Sequence, residues 1–242
     1  MNERRLLRLT GPDRVDFLQG LVTNDVTRAP VYAALLSPQG KYLADFFVVP
    51  DGDEALLLDV AGDLADDLLR RLAMYKLRAK VEIAEDPRPV TRGTGPAPEG
   101  AIMDPRDPAL GWRGYGVGAD DATDWDALRV EHLVPEAGAE LLPNDSYILE
   151  MGFERLGGVD FRKGCYVGQE VTARMKHKTE LRKGLRRVRL EGEVPPGTPI
   201  LTANGREAGV VHTQSGGRGI AYLRFDRAGG GMTAGGVPLR VE

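Results

Sequence analysis

Apolar side chains recur along the chain with two different periods, and the switches between them mark its elements. Residues 4–9 read as a strand, after which Gly11-Pro12-Asp13 opens a helix with Val15, Leu18 and Leu21 on one face, expected to end near Thr23-Asn24-Asp25. Three short apolar runs follow, at 31–37, 42–49 and 55–60, broken by Ser37-Pro38-Gln39-Gly40 and Pro50-Asp51-Gly52-Asp53, so they predict a meander of strands. Asp63 reads as the cap of the next helix, which turns Leu64, Leu68, Leu72 and Tyr75 inward. Its acids Asp66 and Asp67 and its bases Arg70, Arg71 and Lys76 suit the two ends of the helix dipole. A strand returns at 79–84. The order predicts an α+β lobe with helices on an antiparallel sheet.

Prolines and glycines crowd residues 85–118, which predicts a connecting region. A helix is expected at about 124–131 and shorter helical pieces within 136–154. Val167, Val171 and Met175 then fall at i, i+4 and i+8, the stripe of another helix. From about Gly184 the text changes to short apolar runs, and Asn204-Gly205 between two of them is a strong hairpin signal. A small β-barrel or sandwich is predicted there, giving three segments at 1–90, 91–183 and 184–242.

Composition narrows the setting. The 242 residues can bury a substantial core, and no apolar run approaches the ~18 residues of a membrane span. Without an apolar signal core, and with one cysteine that cannot close an intramolecular disulfide, the expectation is a cytoplasmic protein with no membrane partner. The net charge of -4 speaks against a general nucleic-acid binder, yet residues 162–189 carry ten Lys or Arg against two Glu. That segment is therefore +8 and the remainder -12. It is either a solvated helix face or the receiver of a polyanion, such as a polyglutamate tail on a folate, or RNA.

Chemistry concentrates in Asp160-Phe161-Arg162-Lys163-Gly164-Cys165-Tyr166-Val167-Gly168-Gln169-Glu170, which holds the single cysteine. Lys163, Arg162 and the positive end of the following helix would all favour the Cys165 thiolate, while Gly164 and Gly168 leave it uncrowded. The other reading of a lone cysteine is a small buried hydrophobe. His132, His177 and His212 lie far apart with no second cysteine, so no metal site is expected; a cluster held by this chain alone would need more thiolates, which only partners could supply.

The segment Lys163-Gly164-Cys165-Tyr166-Val167-Gly168-Gln169-Glu170 resembles the signature of the YgfZ-type folate-binding proteins, iron-sulfur cluster assembly and repair factors related to the glycine-cleavage T-protein, an aminomethyltransferase. Further landmarks are the segments 17–25, 37–41 with Asp45, and 75–78, then Asp104-Pro105-Arg106, Leu110-Gly111-Trp112-Arg113 and Leu128-Arg129-Val130-Glu131. The resemblance implies an aminomethyltransferase-like fold, a multi-lobed ring with a C-terminal β-barrel, and a cavity for tetrahydrofolate or a one-carbon derivative. It implies that Glu131 clamps the pterin, whose 2-amino and N3-H donors suit one carboxylate, and that Arg182 or Lys183 lies near the folate tail. The resemblance also implies a catalytic place for Asp45, which matches one of a T-protein aspartate pair whose other position is Ala44 here. The implied function is folate-dependent support of iron-sulfur assembly, with Cys165, activated by Lys163, facing the cavity near Asp45 and serving apoproteins or assembly machinery. Whether any reaction is catalysed stays open. Two other readings are a T-protein-type aminomethyltransferase or demethylase, and an adaptor that docks RNA or an acidic protein through 162–189.

Overall fold

The computed structural model describes residues 3–177 and 180–242. Lys178, part of the basic segment, lies outside them. The chain opens with β1 (Arg4–Thr10), α1 (Arg14–Gln19), β2 (Val31–Leu36), β3 (Tyr42–Asp51), β4 (Ala55–Ala61), α2 (Gly62–Lys76) and β5 (Glu82–Asp86). The five strands form one antiparallel sheet in the order β2-β3-β4-β1-β5. The expected meander and the α+β order are therefore present. Helix α1 stops at Gln19, earlier than predicted, and Asp63 lies in the first turn of α2 and makes no side-chain cap bond.

Alternation along these strands sorts the side chains onto two buried faces. Ala33, Leu35, Phe46, Val48, Leu58 and Val60 face α2, where Ala65, Leu68 and Leu72 cover them, while Tyr75 stays partly exposed. Tyr32, Ala34, Tyr42, Phe47, Leu57 and Leu6 face the rest of the molecule, and with them come Asp45 and Asp59. A sheet covered on both sides explains why these runs are so uniformly apolar. It also makes each carboxylate on them conspicuous.

Residues 85–118, expected to be connecting chain, instead hold a three-stranded sheet of β6 (Val90–Gly93), β7 (Ile102–Met103) and β8 (Trp112–Tyr115) in the order β6-β8-β7. Its strands are only two to four residues long, too short to leave a periodic signal in the sequence. Helix α3 (Trp125–His132) begins where predicted, with the Asp124 carboxylate accepting from the Ala127 amide at 3.0 Å. The pieces expected within 136–154 are turns, and helix α4 (Gln169–His177) begins after Val167.

Strands β9 (Lys183–Leu190), β10 (Pro199–Leu201), β11 (Glu207–Ser215), β12 (Arg218–Arg224), β13 (Met232–Ala234) and β14 (Val237–Val241) close a barrel in the order β10-β11-β12-β9-β14-β13. The β10-β11 hairpin turns at Asn204-Gly205, as its sequence indicates. The barrel has its own core around Val188, Ile200, Val211 and Leu223. Its outer face contributes Leu185 and Ile220 to the cluster built on Tyr32 and Phe47, so one apolar cluster joins the three parts.

Candidate functional site

The face of the first sheet that carries Asp45 and Phe47 forms one wall of a cavity of about 380 Å³. Its other walls come from β6, β8 and α3 and from the loops beside them, which bring Arg92, Arg106, Arg113, Trp125, Arg129 and Glu136. With Arg4, five guanidinium groups line this space. Burying so many cations is tolerable only where acids and hydrogen bonds answer them.

Asp59, fully buried, supplies the first answer. It accepts from Arg4 Nε at 2.6 Å and from Arg113 Nε at 2.8 Å, with the Tyr115 hydroxyl at 3.3 Å. Asp104 grips Arg106 through both oxygens, at 3.0 and 2.8 Å, and lies 3.5 Å from Arg113. Burial alone would raise both acids, but Arg113 and Arg4 hold Asp59, and Arg106 holds Asp104, below the ordinary carboxylate range. Glu140 receives Arg129 at 2.9 Å and bonds to Thr213 of the barrel, which ties the cavity wall to the third segment.

Some capacity remains unspent. Arg113 Nη2 and Arg129 Nε are buried without an aligned hydrogen-bond acceptor, although each lies within ion-pair distance of an acid, 2.7 Å from Asp59 and 3.5 Å from Glu136. The distances record charge attraction while the N-H directions miss the oxygens. Asp45 accepts from the Tyr32 and Tyr42 hydroxyls at 2.9 and 2.6 Å, and a carboxylate offers about four acceptor positions. Burial, and then the neighbouring Asp45 charge, push both tyrosines well above the ordinary phenol range, so they stay protonated donors. The Arg106 and Arg113 guanidinium groups lie 4.8 and 4.1 Å from the Phe47 ring centre, and Arg92 lies 3.9 Å over Trp125. Burial, and then the nearby Arg113, lower Arg92 to about 10. The cavity can therefore hold a planar, polar ring together with an anionic group.

Of the site residues expected from sequence, only Asp45 lies on this wall. Glu131 does not: its half-exposed carboxylate joins α3 to the barrel through Arg218 and, at 3.5 Å, Arg187. The residue that the family resemblance pairs with a pterin clamp lies on the solvent side of α3, while Arg129, two residues earlier, turns inward. Arg182 is exposed, and its backbone carbonyl accepts from the Phe225 amide at 2.9 Å.

Cys165 is exposed, and no residue of 160–170 lines the cavity, so the expected meeting of sulfur and cavity does not occur. What holds the sulfur is a stitched loop. Lys163 is 8% exposed, and its ammonium donates to the Val22 and Asn24 carbonyls at 2.6 and 2.8 Å rather than to the sulfur. Burial lowers it to about 8, against the opposing pull of Asp25 and Asp160. Asn24 donates to the Gly157 carbonyl at 2.6 Å, Thr23 donates to that of Gly158 at 2.7 Å, and the Asp160 amide returns a bond to the Thr23 carbonyl at 3.0 Å. On the far side Tyr166 is buried, and Gly168 lies so close to β2 that a Cβ there would stand 2.6 Å from the Ser37 carbonyl. Between these anchors a Cβ on Gly164 would meet nothing within 4 Å. The loop is fixed at both ends and open at its tip, where the thiol sits.

Apart from Asp45, the residues that build the cavity escaped prediction, although Arg106, Arg113 and Arg129 lie in the landmark segments. One signal was available: Arg113 sits inside Trp112-Arg113-Gly114-Tyr115, an aromatic-bounded strand where a charge requires a buried partner.

Residues 182–242 match the family described as CAF17, C-terminal beta-barrel domain. The iron-sulfur cluster assembly factor IBA57, mitochondrial, of Mus musculus is 32% identical over 93% of this chain and 77% of its own length. The Homo sapiens protein of that name is 31% identical over 95% and 78%, and the Pyricularia oryzae homolog 30% over 93% and 71%. The expected cytoplasmic location is corrected by these relatives, each of which is mitochondrial by name. In fold, the chain is similar to the crystal structure of glycine cleavage system aminomethyltransferase T from Bartonella henselae, with a TM-score of 0.77 over 99% of this chain and 82% of that one at 14% identity. The aminomethyltransferase-like fold expected from sequence is thus the fold found.

Proposed function

The chain belongs to the family of the IBA57 iron-sulfur cluster assembly factors, and from that premise we propose that it serves iron-sulfur cluster assembly by presenting the Cys165 thiol to a partner protein. The observation that carries this reading is the exposed sulfur at the tip of a loop whose two ends are immobilised. One thiolate cannot hold a cluster, so Cys165 supplies one ligand to a cargo cluster whose remaining ligands come from assembly machinery or a recipient apoprotein. Lys163 is a positioning residue in this scheme. Its ammonium fixes the loop to residues 22–24, and the sulfur stays free for the partner.

The second part of the proposal concerns the cavity, for which the fold family implies tetrahydrofolate or a one-carbon derivative. The residues fit such a ligand: Asp45 and Glu136 offer carboxylate oxygens to a pterin's adjacent N-H donors, Trp125 and Phe47 offer aromatic surface, and the arginines meet a carboxylate. When bound, the group would supply one-carbon or redox chemistry. This chain's residues orient it, exclude water around Phe47 and keep the Tyr32 and Tyr42 protons on their oxygens. Because the thiol lies apart from this wall, the cavity ligand acts on the assembly role through the fold and not by direct contact with sulfur.

Anaerobic cluster transfer from a cluster-loaded carrier protein, followed by visible absorption and by co-elution with the carrier, tests the first part. Cys165→Ser should lose the cluster-bridged complex while keeping wild-type stability. A bridged complex of unchanged yield in that variant would remove the proposal. Fluorescence titration with tetrahydrofolate tests the second part, and Asp45→Asn should weaken binding about tenfold by removing the charge-assisted acceptor. Equal affinity would take Asp45 out of the site.

A further inference from the structure

Helix α2 buries Ala65, Leu68 and Leu72 against the first sheet, and at 3.6 residues per turn Met74 falls about half a turn round from them, 62% exposed. Leu77, at the helix end, is 90% exposed, more than any other large apolar side chain among the described residues. Its backbone adopts φ +41° and ψ -102°. Positive φ at a helix end is the place of glycine, and a leucine held there is strained. Burial within this chain offsets none of that strain. Charge is one-sided at the same corner, where residues 70–82 carry five Lys or Arg against one Glu. Asp67 answers Arg70 and Arg71 at 3.3 and 2.5 Å, whereas Lys76, Arg78 and Lys80 enter no ion pair among the described residues.

This corner is fastened to helix α1. The Lys80 amide donates to the Asp13 carboxylate at 2.8 Å, and a Cβ on Gly11 would stand 2.2 Å from the Lys80 carbonyl. Asp13 directly precedes α1, whose six residues span about 9 Å. At the other end of α1, Gln19 bonds the Asp25 carboxylate and the Val26 amide, each at 3.0 Å, next to the Val22 and Asn24 carbonyls that seat Lys163. The apolar corner and the cysteine loop thus hang on opposite ends of one short helix, within reach of one partner of ordinary size. Resting on the reading of Cys165 as a cluster ligand, we propose that the exposed end of α2 is a second docking point for the protein that shares the cluster, and that the face it accepts is acidic with an apolar socket. The socket takes Leu77 and Met74, and the partner's carboxylates meet Lys76, Arg78 and Lys80. Because this contact involves no cluster, the partner can associate in its apo form.

Isothermal titration of the full chain with the apo form of the carrier protein used for cluster transfer, at about 0.05 M and about 0.5 M salt, tests this. Leu77→Gly should weaken the association about tenfold or more while its thermal midpoint equals or exceeds that of the parent protein, because glycine relaxes the positive φ. Arg78→Gln/Lys80→Gln should weaken it at low salt and change little at high salt. Unchanged affinity in Leu77→Gly, or an apo carrier that does not bind while the cluster-bridged complex still forms, overturns the docking point and leaves the role of Cys165 standing. Affinity lost together with a lowered midpoint marks Leu77 as structural and overturns it too. Concentration-dependent dimerisation, or sedimentation with phosphatidylserine-phosphatidylcholine vesicles, that Leu77→Gly abolishes while carrier affinity holds assigns the corner to a second copy or to a membrane surface, against the proposal. Absence of the bridged complex in the parent protein removes the reading of Cys165 itself, and this docking point with it.

Discussion

Neutralising Asp59 is the most informative single change to the cavity wall. The carboxylate is fully buried and holds two guanidinium groups, Arg4 at 2.6 Å and Arg113 at 2.8 Å, whose side chains are 18% and 2% exposed. Asp59→Asn keeps the volume and leaves Arg113 with Asp104 at 3.5 Å as its remaining acid. Removing one partner of a buried pair costs about 3 to 5 kcal/mol, mostly the penalty of the charge left behind. Urea unfolding should therefore show a midpoint shift of that size with the slope unchanged. Asp66→Asn is the control, since that acid is 79% exposed beside Arg5 and its loss should cost under about 1 kcal/mol. The pH dependence has a definite sign. Asp59 and Asp104 have folded values below their unfolded ones, so their contribution is complete above about pH 4 and drains away as pH falls through the folded values. The variant should lose less stability on acidification than the parent protein. A loss below about 1 kcal/mol in Asp59→Asn, or an unchanged acid limb, would refute the view that this lattice is held by charge.

Three further changes separate the loop, the clamp and the close contact. Lys163→Met should speed amide hydrogen exchange across 160–168 by about tenfold or more and cost about 1 to 3 kcal/mol, with cavity binding unaffected, as mass spectrometry and titration will record. Glu131→Gln should lower stability by less than about 1 kcal/mol and leave tetrahydrofolate affinity unchanged, because its partners are half-exposed arginines of the barrel. Gly168→Ala should cost about 2 kcal/mol or more in thermal unfolding, since its φ is +82° and the new methyl would strike the Ser37 carbonyl.

The first sheet, helix α3 and the Asn204-Gly205 hairpin were legible in the sequence, because each is written in local chemistry: alternation between breakers, a capping aspartate, a turn pair. The sheet of β6, β7 and β8 was not, since strands this short carry no period and their prolines and glycines imitate a linker. The cysteine loop was found by its composition, yet the work of Lys163 was misplaced, because nothing near it in the chain announces the carbonyls of Val22 and Asn24. Glu131 and Arg129 show the same limit within one helix. Which of them turns inward was decided by Glu140 and Thr213, residues that helical spacing does not display.

The bonds from Lys163 to Val22 and Asn24 cross sequence separations of 141 and 139 residues. A growing polypeptide that has completed the first sheet still has no seat for its sulfur until the later stretch arrives and docks. Seating of the thiol therefore waits on long-range closure: the sulfur takes its place at the loop tip only after segments about 140 residues apart have met.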